Sequence, residues 1–336
     1  MSQKPPAGPN GMLLLNKPAG VSSFGVIEAL QRELLEKSKR ESLTGQGIKK
    51  RDLPKMGHGG TLDPFATGLL LVCVGRGVKL SRYFLGSNKT YEGTIRFGET
   101  TIPGDPTDPI SERSDHLPSS LEEIRAAAHK FTLQPYSQTP PMHSAKKKDG
   151  KPLYELARQG IEIEREAKVC QIYSFEIFNY ENRRANFRVV CSSGTYIRTL
   201  SQDLGKLLGT VAMLDSLHRS GSGIFNETRS QTLTEILEAT RQGKNFDELP
   251  SWVHFDQMLG GYITAEATRD EALALTQGKQ AVLFNILKRA EAPQDELSKK
   301  AIDPDHIVIR CAGSLVAVAS KVNDVWGLER VFTDSH

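Results

Sequence analysis

The sequence predicts an α+β protein with a large mixed domain and a small β-rich appendage. Three observations carry this. Strand-like segments and helix-like segments with apolar positions about four residues apart interleave along the first 250 residues. The longest apolar run, Leu69 to Val74, has the length of a strand buried on both faces. Pro250, Gly260 and Gly261 cluster where the charge balance flips: residues 1–250 carry a net +6 and residues 251–336 a net −3. The 336 residues are 38% apolar and 25% charged, which excludes disorder, collagen and coiled coil as global descriptions. No apolar run approaches the ~20 residues of a membrane helix. The start, MSQKPPAGPNG, has neither an apolar signal core nor an Arg-rich amphipathic pattern, so a cytoplasmic location is expected. Cys73, Cys170, Cys191 and Cys311 are far apart with no CxxC, which suits reduced core thiols better than disulfides or zinc.

Met12–Leu15 reads as a strand closed by the turn Lys17-Pro18-Ala19-Gly20. Ser22 and Ser23 can cap a helix carrying Val26, Leu30 and Leu34. Residues 37–55 read as a basic loop, with seven Lys/Arg against Glu41 and Asp52. Residues 57–64, GHGGTLDP, read as a glycine-rich loop leading into the buried strand at 69–74. Tyr91, Ile95 and Phe97 alternate on one face of a strand. Residues 100–119 read as loop and Leu121–Phe131 as helix. Pro135 to Lys151 is a proline- and lysine-rich excursion, followed by a short helix over 153–159. Strands are expected at 168–178 and 186–192. After Gly194, Thr195 can cap a helix with Ile197, Leu200, Leu204 and Leu208 on one face, and a further helix covers 233–242. Beyond 260, Thr268 and Glu271 form a capping box for a helix ended by Gly278. Val308–Ala312 and Leu315–Val322 form a hairpin about Gly313-Ser314, and Arg330–Phe332 a last strand.

Two segments carry candidate chemistry. Asp63 sits in the glycine-rich loop five residues after His58, with a rigid strand immediately downstream. It is either a catalytic carboxylate or an Asx-turn residue before Pro64. In the second segment, CSSGTYIR at 191–198, a strand passes into a helix and holds Tyr196 and Arg198 near the first turn. Tyr91 is either a core aromatic entering a strand or part of a site. There is no second carboxylate at a useful spacing for a paired acid/base hydrolase, and no Walker A or Rossmann glycine pattern. The basic clusters at 37–55 and at Lys146–Lys148 with Lys151 and Arg158 are either a polyanion footprint on an otherwise near-neutral chain or solvated loops.

The ordered set Lys17-Pro18, GHGGTLDPFATGLL at 57–70, KTY at 89–91, PPMHSAKKKDGKPLYELARQG at 140–160 and CSSGTYIRTLSQDLG at 191–205 resembles the TruB family of tRNA pseudouridine synthases over about residues 11–240. The resemblance implies a pseudouridine synthase fold, a central mixed, mostly antiparallel sheet flanked by helices, over residues 1–250. It further implies an insertion at about 135–165 that closes on the tRNA T-arm, and a PUA-like domain at 258–336. It implies isomerisation of uridine 55 of the T-loop after base flipping. Asp63 then matches the catalytic aspartate, Arg198 its arginine partner, and Tyr91 the aromatic platform whose hydroxyl helps remove the C5 proton. His58 matches the residue filling the space of the displaced base. Tyr196, Leu217 and Arg219 line or adjoin the pocket. Lys17 supports the catalytic loop, and Lys147 and Lys151 meet RNA phosphates. His143 and Lys146 depart from the family pattern. No cofactor and no metal are implied, because the reaction neither gains nor loses atoms. The expected partner is tRNA alone, with no membrane and no obligate protein partner, and the chain is expected to be a monomer. The alternative is a non-catalytic tRNA-binding or tRNA-folding helper on the same scaffold.

Overall fold

A computed structural model describes residues 8–42, 45–142, 147–148, 151–152, 161, 163–293 and 303–332. Strand β1 (Gly11–Lys17) leads into α1 (Ser23–Glu41), whose N-cap Ser22 accepts the Gly25 N–H at 2.9 Å. The helix runs into the stretch expected to be loop. Lys37 is buried there, donating to Gly243 O, Lys244 O and Asn245 Oδ1, while Lys39 and Arg40 pair with Glu36 and Glu33. Three of the seven basic residues of that cluster are therefore engaged by α1 and the 243–245 segment, and a fourth, Arg51, lies 3.8 Å from Asp52. The glycine-rich segment also begins differently from expectation, since β2 (Met56–His58) pairs with β3 (Thr67–Val74) and puts His58 on a strand.

Next come α2 (Ser81–Gly86) and β4 (Lys89–Phe97), then β5 (Glu99–Thr101) and β6 (Ile110–Arg113), an antiparallel pair inside the expected loop. Helix α3 (Leu121–Lys130) is capped by Ser120. In the excursion, β7 (Tyr136–Gln138) is followed by the two-residue strands β8 (Lys147–Lys148) and β9 (Lys151–Pro152), which pair with each other. The helix expected over 153–159, and His143 and Lys146, lie outside the described residues. Strand β10 (Lys168–Cys170) pairs with β7, and β11 (Ile172–Glu181) with β12 (Arg184–Cys191). Helix α4 (Ile197–Leu207) buries Ile197, Leu200 and Leu204, as its periodicity predicts. Thr195 does not cap it. Its hydroxyl donates to Ser192 O at 2.9 Å, and Tyr196 occupies the N-cap position. The segment closes with β13 (Ala212–Ser222), β14 (Phe225–Asn226), β15 (Gln231–Thr232), α5 (Leu233–Arg241) and β16 (Trp252–His254).

The large sheet has the order β11-β12-β4-β13-β3-β1-β15, with β14 on β13, β16 on β1 and β2 on β3. Only the β13–β3 and β1–β15 pairings are parallel, so the sheet is mixed and mostly antiparallel. Because β16 pairs with β1, this sheet extends past residue 250. The C-terminal segment adds β17 (Ile263–Glu266), α6 (Arg269–Thr276), α7 (Leu283–Leu287), β18 (His306–Cys311), β19 (Ser314–Val322) and β20 (Val325–Val331), with the strands forming one sheet in that order. Thr268 and Glu271 make the expected capping box. Ala312 and Gly313, both with positive φ, form the two-residue turn of the β18–β19 hairpin.

The run Leu69–Val74 is buried on both faces for a specific reason. Leu70, Val72 and Val74, with Leu13 and Leu15 of β1, pack in one cluster with Val26, Ile27 and Leu30 of α1 and Leu200 and Leu204 of α4. Leu69, Leu71 and Cys73, with Met12 and Leu14, pack in a second cluster with Phe255, Val308, Leu315, Val318 and Phe332. The C-terminal sheet, with Tyr83 and Phe84 of α2, thus covers the sheet face opposite α1 and α4. Burial raises the thiols of Cys73 and Cys191 to about 12, and all four cysteines are free. Among the described residues no helix is long and apolar enough to cross a membrane.

Two-sided burial makes a stability prediction. Leu70→Ala and Leu71→Ala should each lower unfolding free energy by about 2–5 kcal/mol in denaturant titrations. If either cost less than about 0.5 kcal/mol, that face of β3 would not be core.

Candidate active site

The loop between β2 and β3 is fastened residue by residue. Gly59 N–H donates to Leu71 O at 2.8 Å. The Arg219 guanidinium, 1% exposed, donates to Leu69 O at 2.7 Å, to Gly60 O at 3.1 Å and to Thr61 O at 3.4 Å. Ser23 Oγ accepts from Leu62 N–H and donates to Leu62 O. Lys17, fully buried, donates to Pro18 O, Val21 O and Pro64 O, and Gly20 N–H donates to Pro64 O as well. Ala66 N–H closes the turn on Asp63 O. Gly68 can only be glycine here: its φ is +102°, and a Cβ would lie 2.4 Å from Arg219 O across the parallel β3–β13 contact.

With its backbone fixed, the loop presents Asp63 to a pocket of about 410 Å³ lined also by Lys89, Tyr91, Lys168, Tyr196, Leu217 and Arg219. Arg198 meets Asp63 with a two-pronged contact, Nε to Oδ2 at 2.9 Å and Nη2 to Oδ1 at 3.1 Å. Arg198 is 3% exposed, whereas the Asp63 side chain is 32% exposed toward the pocket. The far side of the guanidinium donates to Pro103 O at 3.1 Å and lies 3.5 Å from Asp105 Oδ2. Asp105, buried in turn, accepts from the N–H and hydroxyl of Thr107. Arg198 is therefore held between two carboxylates.

Burial raises the Asp63 carboxyl above its ordinary value; Arg198 pulls it down, Asp105 pushes it up, and Lys17 pulls it down again. Burial lowers the Lys17 ammonium to about 8, with Asp63 opposing and Arg219 adding to the shift. Burial also raises the Tyr91 phenol, against the pull of Arg219 beside it, so the ring is held neutral. Lys89 is lowered to about 7 by burial and then by Arg219, and it donates to Phe84 O, Ser87 O and Ser87 Oγ. Tyr196 is gripped by Gln138 of β7, whose amide accepts the Tyr196 N–H at 2.6 Å and donates to its carbonyl at 3.4 Å.

The structure brings Asp63, Tyr91, Arg198, Tyr196, Leu217 and Arg219 into one pocket. Lys17 lies beneath the loop with its ammonium donating to backbone carbonyls, Pro64 O among them, so it supports the loop from below. Arg219 lines the pocket, but its guanidinium is spent on carbonyls of the loop. His58 is not among the lining residues. Burial and then Arg219 lower its pKa, and its buried Nδ1 has no hydrogen-bond partner among the described residues. For Lys147 and Lys151 the structure gives the backbone pairing, Lys147 opposite Pro152 and Lys148 opposite Lys151. Sequence reasoning missed Asp105, Gln138, Ser23 and Lys168. Asp105 stands in the stretch dismissed as loop, and no sequence spacing marks it as a neighbour of Arg198. Among the described residues no three His, Cys, Asp or Glu side chains gather as a metal site.

Comparison with known proteins gives the family. The description "TruB family pseudouridylate synthase (N terminal domain)" matches residues 48–197, and "tRNA pseudouridylate synthase B C-terminal domain" matches residues 198–260. A protein of Bordetella avium named tRNA pseudouridine synthase B is 43% identical over 233 residues, 69% of this chain and 88% of its own length. One of Burkholderia lata with the same name is 34% identical over 325 residues, 96% of this chain and 90% of its own. Among solved structures, a chain of a Cbf5-Nop10-Gar1 complex superposes with a TM-score of 0.68 at 20% identity, covering 98% of this chain and 90% of that one. That last likeness shows a shared fold that includes the C-terminal sheet. The matched residues span the fastened loop, the pocket and the helix that carries Arg198, and on them this chain belongs to the TruB family of pseudouridylate synthases.

Proposed function

We propose that this protein isomerises uridine 55 in the T-loop of tRNA to pseudouridine. The observation that carries the reading is the two-pronged Asp63–Arg198 pair at the floor of a pocket large enough for one nucleotide. The reaction breaks N1–C1′, joins C1′ to C5, releases the proton of C5 to solvent and adds a proton to N1, so atoms balance. A carboxylate facing the sugar can stabilise oxocarbenium character, attack C1′ or C6, or take the C2′ proton. Each route needs Asp63 ionised, and Arg198 favours that form. Extruding the base costs a few kcal/mol of unstacking. Tyr91 offers a ring for stacking worth about 1–3 kcal/mol, with Leu217 also lining the pocket.

The rest of the reading follows from the substrate. The catalytic unit comprises residues 1–250 together with β16, with Lys147 and Lys151 of the 135–165 insertion on T-arm phosphates and His58 filling the space the base leaves. Residues 258–336 form a PUA-like RNA-contacting domain. The protein works in the cytoplasm as a monomer on free tRNA, without an obligate protein partner and without a cofactor or metal.

Asp63→Asn should cut tritium release from C5-labelled tRNA uridine by about a thousandfold or more while tRNA still binds. Substantial residual turnover would remove Asp63 from the chemistry, and retention of tRNA-folding rescue by the variant would reveal the helper activity alongside it. Arg198→Gln removes the charge that lowers the Asp63 pKa. The acid limb of the kcat/KM profile should therefore move to higher pH, by about 1–3 units, and an unmoved limb would contradict the assigned role. Asp105→Asn should leave tRNA affinity unchanged and lower kcat by about 10- to 100-fold through misalignment of the guanidinium. Wild-type kcat in this variant would show that Arg198 needs no second carboxylate.

A further inference from the structure

Four cationic side chains line the pocket: Lys89, Lys168, Arg198 and Arg219. Three of them are committed inward. Arg198 serves Asp63, Asp105 and Pro103 O; Arg219 serves three loop carbonyls; Lys89 serves the end of α2 through three acceptors. Lys168 differs. It is exposed on β10, and its ammonium makes one hydrogen bond, to Ser193 O at 3.2 Å. No ion pair engages it among the described residues, so an ammonium with three donors has two left.

Its seat is built by its neighbours. Lys168 lies opposite Gln138 in the β7–β10 pairing, the same Gln138 that grips Tyr196, so its Cα is fixed relative to the pocket wall. Gly194 has φ +77°, and a Cβ there would fall 1.9 Å from Lys168 Nζ. The positive φ is what calls for glycine at 194, and the ammonium, the far end of a flexible side chain, rests in the space that glycine leaves.

An everted nucleotide brings its flanking phosphodiesters to the rim of the pocket that takes its base. Each carries one negative charge. The other lining cations are spent, so among the described residues of the pocket lining Lys168 is the cation able to answer that charge. We propose that Lys168 binds the phosphodiester adjoining the everted uridine and so anchors the flipped backbone. This rests on the RNA-modifying reading above and assigns the site an RNA-backbone contact outside the reacting atoms.

The test is equilibrium binding of a T-arm stem-loop by the full chain across a salt series. Lys168→Met keeps the apolar stem and removes the charge. It should raise Kd about tenfold and flatten the slope of log K against log salt by about 0.7–0.9, the contribution of one phosphate. Its kcat/KM should fall by about the factor by which Kd rises, and Lys168→Arg should restore the slope. A stem-loop with neutral methylphosphonate links flanking the target uridine should bind wild type more weakly and Lys168→Met no more weakly than the natural RNA. Equal salt slopes for wild type and Lys168→Met, or the same methylphosphonate penalty in both, would overturn the proposal. So would a kcat loss at unchanged Kd. These binding arms do not depend on turnover. Absence of pseudouridine after incubation with wild type would instead count against the proposed function.

Discussion

One carboxylate gripped by one guanidinium is the contact on which the rest of this structure depends. Placing an ionisable acid in a pocket that also raises its pKa works only if a cation of fixed geometry sits beside it. Arg198 supplies that geometry because it is itself immobile, pinned behind by Pro103 O and Asp105 and carried in the first turn of α4. A lysine could supply the charge but not the planar fork. The cost of burying the guanidinium is offset by two acids and a carbonyl, and the excess of acceptors leaves Asp63 able to turn part of its surface to a substrate.

The loop opposite Arg198 is held by a different means. Its own sequence is glycine-rich and would be mobile in isolation, yet its carbonyls and N–H groups from Gly59 to Pro64 are claimed by Arg219, Ser23, Lys17 and Leu71. Two buried basic residues near an acidic centre are thus framework: they fix where Asp63 can be. This reassigns cations that a charge map would count toward RNA binding, and it leaves Lys168 as the cation of the pocket wall with donors to offer. The same applies to Lys37, which the sequence places in a basic loop and the fold buries against the 243–245 segment.

Much of the fold was readable from local pattern. Leu200 and Leu204 reported a helix face, the Leu69–Val74 run reported a strand covered on both sides, and Thr268 with Glu271 reported a helix start. These signals are local, and the forces behind them act over a few residues. The family motifs located Asp63, Tyr91, Tyr196, Leu217 and Arg198, which the pocket does bring together. What stayed hidden was non-local. Asp105 reaches Arg198 from 93 positions away in the chain, Gln138 reaches Tyr196 across a strand pairing, and the β5–β6 pair was masked by Pro, Asp and Ser. Thr195 looked like a cap because its type favours caps, but its hydroxyl found Ser192 O first.

The most direct measurement is a structure of the protein bound to a T-arm stem-loop whose target uridine carries fluorine at C5, a substituent that blocks loss of the C5 proton. The account predicts that base out of its stack and inside the pocket beside Tyr91 and Leu217, with an Asp63 oxygen bonded to the nucleotide or in van der Waals contact with its sugar and Arg198 still paired to the other oxygen. A target nucleotide left stacked in the loop, or one bound with Asp63 turned away from it, would contradict the account at its centre.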